Sequence, residues 1–188
     1  VYCDGLPIVA YDLSKNFSQN LAAEWTNLGL ETHGKGGFCI LKLAQRLLDP
    51  VPAGNCKLET LRQFYQLPER TPPSGLGQLK SVIDLMQEVL KPLSAKIPLL
   101  SIEAFREYTE RPWYPSRINF GKFKGREFRD AISDKDFLEW LIWLSKSKNA
   151  TTAEMGQWYL DQLGDQWTLA EHSLSSDSTL ADGGPKGS

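Results

Sequence analysis

Histidine, cysteine and long apolar runs are scarce in this chain of 188 residues. The two histidines, His33 and His172, lie far apart and have no cysteine at ligand spacing. The three cysteines, Cys3, Cys39 and Cys56, are an odd number and fit no zinc pattern. Cys39 sits in the apolar run Phe38-Cys39-Ile40-Leu41 and reads as a small core residue. The set reads as reduced structural thiols of a cytoplasmic protein, with no metal and no cofactor expected. No apolar run approaches the roughly 18 residues of a membrane-spanning helix, so no membrane partner is expected. The N-terminal residues lack a signal-peptide pattern. The first residue is Val rather than Met, which reads as a processed, trimmed or partial chain.

A large excess of either charge is also missing. There are 21 basic and 23 acidic residues, a net charge of −2, which is not the overall signature of a nucleic-acid binder. The distribution is uneven. Residues 101–148 carry ten basic and eight acidic side chains, whereas the last forty carry Lys186 against six acids. An acidic tail therefore masks a slightly basic body. Hydrophobic residues make up 41% of the chain, enough to build a core and to exclude a wholly disordered protein.

The pattern predicts an α/β body. Leu6 to Tyr11 reads as a buried strand. Leu21, Ala22, Trp25 and Leu28 share one face of a helix that Gly29 should end. Ile40 to Leu48 suits a second helix, and a third begins near Asn55. Leu76 to Leu90 repeats apolar residues at spacings of three and four, which predicts a helix with Leu79, Val82, Ile83 and Met86 against the sheet. Pro92 and Pro98 punctuate its end, and a short helix is expected near Ile102 to Tyr108.

The texture changes at Ile118. Arg117, Lys122, Lys124, Arg126 and Arg129 alternate with Phe120, Phe123 and Phe128, with Glu127 the one acid from 117 to 129. Glycines at 121 and 125 suggest two short strands around a turn. Basic side chains on such a turn can follow a phosphate backbone. The aromatic rings are expected to pack beneath it onto Trp140 and Trp143. Lys122, Lys124, Arg126 and Arg129 are the candidate nucleic-acid-binding residues. Ser133 and Thr151 are expected to open two helices through capping boxes, the second stopping at Gly164. From Ser173 the tail has little to bury.

Two stretches carry a resemblance. Tyr11-Asp12-Leu13-Ser14-Lys15-Asn16 and Pro73-Ser74-Gly75-Leu76-Gly77-Gln78, within residues 7–28 and 38–93, resemble the later half of the proofreading-type 3′–5′ exonucleases. Residues 117–144 resemble the small C-terminal module of relatives of exodeoxyribonuclease X. The resemblance implies a ribonuclease H-like fold and two divalent metals held by carboxylates, with a general base to take the proton of water. It also implies that this chain departs from that chemistry. Asn16 stands at a metal-binding Asp position and Gln78 at another. Pro73 stands at the position of the basic His, and no Asp-x-Glu occurs in the chain.

The resulting expectation is a partial ribonuclease H-like exonuclease body over residues 1–97, a linker over 98–116 and a small α+β module over 117–164. A disordered acidic tail over 165–188 completes it. The leading function is a catalytically inactive exonuclease-like protein that binds nucleic acid, DNA or RNA, or braces a nucleoprotein assembly. Two alternatives stand beside it: an active metal-dependent exonuclease seen as a fragment or altered variant, and a protein-interaction module. A partner chain that completes the sheet is also expected, because a half-sheet leaves strand edges bare.

Overall fold

A computed structural model describes residues 6–13, 22–29, 37–70 and 75–177. The chain is mixed helix and strand, mostly helical, and divides into two compact units, Val1–Arg111 and Pro112–Ser188. No helix among the described residues is long and apolar enough to cross a membrane.

In the first unit, β1 (Ile8–Ala10) pairs in parallel with β2 (Gly37–Cys39), joined by a crossover that holds α1 (Ala22–Asn27). Parallel neighbours require such a crossover. Gly37 faces the Ile8 carbonyl so closely that any Cβ there would collide with it. Among the described residues β1 is paired along one edge only. α2 (Ile40–Leu47) follows β2 directly and buries Ile40, Leu43 and Ala44. α3 (Leu58–Phe64) starts three residues beyond Asn55, whose side chain instead accepts from the Lys57 N–H at 3.0 Å. Gly29 follows α1 in the left-handed region as expected, but Leu28 is 70% exposed rather than part of a buried face.

α4 (Gly75–Leu85) corrects half of the expected packing: Val82, and Met86 just beyond the helix, are partly buried against the core, but the other two positions are not. Leu79 and Ile83 are 51% and 44% exposed, and Leu76 is more exposed still. The buried stripe is Gly77, Ser81 and Leu85, continued by Val89. These positions are four apart, and the first two are small, so a neighbour can approach closely. Ser81 satisfies its buried hydroxyl by donating to the Gly77 carbonyl at 3.2 Å. Pro92 does not end the helix. A π-helical turn, Met86–Leu90, leads into α5 (Lys91–Ser94), which accommodates a proline that has no N–H to donate.

Residues expected to serve as linker hold α6 (Ile102–Glu110), capped by Ser101 accepting from the Ala104 N–H. Phe105 stacks on Phe38 with ring centres 4.9 Å apart. The Arg46 guanidinium donates to the carbonyls of Tyr108, Thr109 and Arg111, the orphan acceptors at the end of α6. The division between units falls after Arg111.

The second unit contains no strand among its described residues. The expected hairpin is a single antiparallel bridge, Arg117 to Glu127, closing a tight loop. A 3-10 turn (Phe128–Ile132), α7 (Lys135–Ser145) and α8 (Ala150–Asp177) complete it. The caps are not the expected ones: Asp134 caps α7, and the Asn149 side chain accepts from the Thr152 N–H at 3.1 Å. α8 runs through Gly164 rather than stopping there, so residues 165–177 are helical. Residues 178–188 lie outside the described residues. Ile118, Phe123, Phe128, Phe137, Leu141, Leu144, Tyr159 and Leu163 form the core. Tyr114 joins it against Trp158, and the Tyr159 hydroxyl donates to the Pro115 carbonyl at 2.8 Å.

Two substitutions test this packing. Gly156 of α8 lies against the backbone of Leu144 and Ser145, with no room for a Cβ. Gly156→Ala should therefore destabilise the chain by about 1–3 kcal/mol in urea unfolding, although alanine is the better helix former. Gln66, beyond the end of α3, has a φ of 55°, and the Leu67 N–H bonds back to the Arg62 carbonyl. This end is a Schellman motif with glutamine where glycine fits best. Gln66→Gly should raise the unfolding free energy by roughly 0.5–1 kcal/mol, since the left-handed conformation costs a side chain about 1–2 kcal/mol and glycine's larger loss of backbone entropy takes back part of that.

Candidate nucleic-acid interface

In the first unit, Asp12 and Gln78 line one cleft of about 740 Å³ between β1, α3 and α4. Asn16, Lys15 and Pro73 lie outside the described residues. Around the cleft the charges are largely spent on each other. Arg62 holds Glu59 through contacts of 2.6 and 2.8 Å, and Arg70 holds Asp84 through contacts of 2.8 and 2.9 Å. The Tyr11 hydroxyl donates to the Cys56 carbonyl at 2.6 Å, and burial pushes its pKa well above the usual range. Burial also raises the Cys56 thiol, so it stays protonated and a poor nucleophile near neutral pH. Among the described residues, no three His, Cys, Asp or Glu side chains converge as metal ligands. A two-metal centre carries four positive charges, and the neutral amide of Gln78 offsets none of them. The donor set among the described residues does not fit such a centre.

The second unit places its cations on a fixed loop. The Ile118 N–H donates to the Arg126 carbonyl at 2.9 Å, and the Gly125 N–H donates back to Ile118 at 2.7 Å. Gly121 and Gly125 both have positive φ, at 70° and 87°, and a Cβ on Gly121 would meet the Trp140 ring at 2.9 Å. Phe123 drops from the loop into the core and stacks on Phe137 with centres 4.3 Å apart and planes 12° apart. The aromatic rings are thus core, as expected for Phe123 and Phe128, with Phe120 against Trp140. Trp143 is the exception, 65% exposed on α7.

The four candidate cations are not equivalent. Arg126 is half-buried; its guanidinium contacts Asp134 at 2.7 Å and Asp130 at 3.5 Å, and lies over the Phe137 ring. The hydrogen bond from Arg126, with a second from the Phe137 N–H, holds the Asp134 carboxyl below its usual range. Arg126 is therefore a structural clamp. Lys122 is exposed, 3.5 Å from Asp136. Arg129 is exposed, with its guanidinium over the Phe128 ring. Lys124 is exposed and, like Arg129, forms no ion pair among the described residues. The fold brings in Asp130, Asp134 and Asp136, which the 117–129 window leaves out. The loop is accordingly a mixed-charge surface with outward lysines rather than a purely basic one.

Sequence reasoning assigned Trp143 to the core. The buried stripe of α7 is Phe137, Leu141 and Leu144. At 100° per residue Trp143 falls about 130° from the middle of that stripe. The register of α7 therefore carried the signal. Comparison with protein-family models, with curated proteins and with solved structures gives no match to this chain.

Asp134 gives a pH prediction. Folding lowers its pKa, so its contribution is full above the unfolded-chain value near 3.9 and is lost as pH falls through the lower folded value. Asp134→Asn keeps a capping oxygen but removes the charge facing Arg126. Thermal midpoints of the two proteins should differ at neutral pH and converge in acid below about pH 4. A gap that stays constant into acid would contradict the clamp.

Proposed function

We propose that this chain is a catalytically silent, exonuclease-like protein of the cytoplasm that binds nucleic acid through its second unit. The observation that carries the reading is the loop from Ile118 to Arg126. Two positive-φ glycines and the buried Phe123 fix it, and it turns Lys122 and Lys124 outward with Arg129 close behind in sequence. A pre-formed loop spends little entropy on binding. Phosphate contacts need only accessible cations on a stable frame.

The exonuclease-like half of the reading draws support from the first unit. Its two strands are parallel and joined by a helical crossover, an arrangement a ribonuclease H-like body contains. The amide of Gln78 and the protonated, partly buried Tyr11 and Cys56 leave the cleft without an activated nucleophile among the described residues. The free Cys39 thiol, buried in the core, suits a reducing compartment.

The test is a salt series. Anisotropy of a labelled single-stranded oligonucleotide should weaken as salt rises, because each phosphate contact releases counterions. The Lys122→Ala/Lys124→Ala/Arg129→Ala triple variant should flatten the log–log slope by about two units, at roughly 0.7 per contact. Arg126 is left intact because it holds the loop. An unchanged slope in a triple variant with native circular dichroism would remove this loop as the binding surface.

A further inference from the structure

Trp143 has no role in the core, and its surroundings give it one. It lies on the solvent face of α7 with Lys135, Glu139, Ile142 and Lys146. This face carries two carboxylates, and each is partly neutralised: Glu139 pairs with Lys135 at 3.8 Å, and Asp136, seven residues before Trp143, pairs with Lys122 at 3.5 Å. Lys146 follows Trp143 by three residues, less than one helical turn, and Lys148 stands in the short connection to α8. Both lysines are exposed, and among the described residues neither forms an ion pair. An exposed indole followed three and five residues on by two exposed lysines that form no ion pair among the described residues combines a flat aromatic face with positive charge. That pairing suits a ligand made of planar rings on an anionic backbone.

We infer that Trp143 is a stacking platform for an unpaired base, and that Lys146 and Lys148 neutralise the adjoining phosphates. The ligand class is single-stranded nucleic acid. A base inside a duplex cannot present its face to a side chain, whereas an unpaired base can. The inference rests on the nucleic-acid reading above and adds to it a second contact point, on α7, with a preference for unpaired strands. The lysines also suit an acidic peptide, but a peptide of acids gains nothing from an indole face. The tryptophan is what favours the nucleic acid.

The experiment uses the full chain and a labelled oligothymidylate of about 16 nucleotides, the upper end of a single module's footprint. Trp143→Ala should weaken binding by about tenfold, the loss of one base–aromatic stack, and leave the salt slope unchanged. Trp143→Phe should recover most of that loss. Lys146→Ala/Lys148→Ala should lower the slope by about 1.4 units. Trp143 is exposed, so both tryptophan variants should keep the native circular dichroism. Full affinity in Trp143→Ala, while the triple loop variant still loses binding, would overturn this inference and spare the loop. Loss of affinity in Trp143→Ala that phenylalanine does not restore would overturn stacking. No binding by the unaltered chain would overturn both readings. Displacement of the oligothymidylate from Trp143 by a polyglutamate peptide at equal concentration would overturn it in favour of a protein partner.

Discussion

One carboxylate orders the second unit. Asp134 accepts the Phe137 N–H at the start of α7 and grips the Arg126 guanidinium, so a helix terminus and a loop are fastened at the same point. Its charge also complements the positive end of the helix dipole. Arg126 in turn covers the Phe137 ring, on which Phe123 stacks. The loop cannot move without uncovering that stack, and α7 cannot lose its cap without releasing the loop. This fastening adds to the two positive-φ glycines and the buried Phe123 in holding the loop that carries the outward lysines, and a held loop costs less to order when it binds.

The sequence makes some of this legible and conceals the rest for definable reasons. The alternation of Phe and basic residues from 117 to 129 correctly separates an inner face from an outer one, since Phe123 and Phe128 are buried and Lys122 and Lys124 are not. The same alternation suggests strands, but Gly121 and Gly125 curl the chain so tightly that one bridge survives. The role of Arg126 depends on Asp130 and Asp134, which follow it within eight residues but come under it only once the 3-10 turn forms. No count of charges along a window reveals that pairing.

The first unit shows the complementary failure. The apolar repeat in α4 correctly marks a helix, yet the large residues Leu76, Leu79 and Ile83 are exposed while Gly77 and Ser81 are buried. Hydropathy weighs side chains by size, so a stripe that packs by being small carries little signal. The cleft beside this stripe was not legible in the sequence. Gln78 and Asp12 both line it, and the Tyr11 hydroxyl reaches the Cys56 carbonyl through a contact between residues 45 apart in sequence. The chemistry of the cleft follows from those residue types: the amide of Gln78, a protonated hydroxyl and thiol, and Glu59 already paired with Arg62.

The central claim is that nucleic acid contacts the second unit and not the cleft of the first. Backbone amide and indole resonances of the isotope-labelled chain, followed by NMR as an oligothymidylate is added, test it most directly. The largest shifts are expected in the 118–126 loop, at Arg129, at the Trp143 indole and at Lys146 and Lys148, while Tyr11, Cys56 and Gln78 stay still. Shifts concentrated at Tyr11, Gln78 and their neighbours, with the loop and Trp143 unmoved, would contradict it.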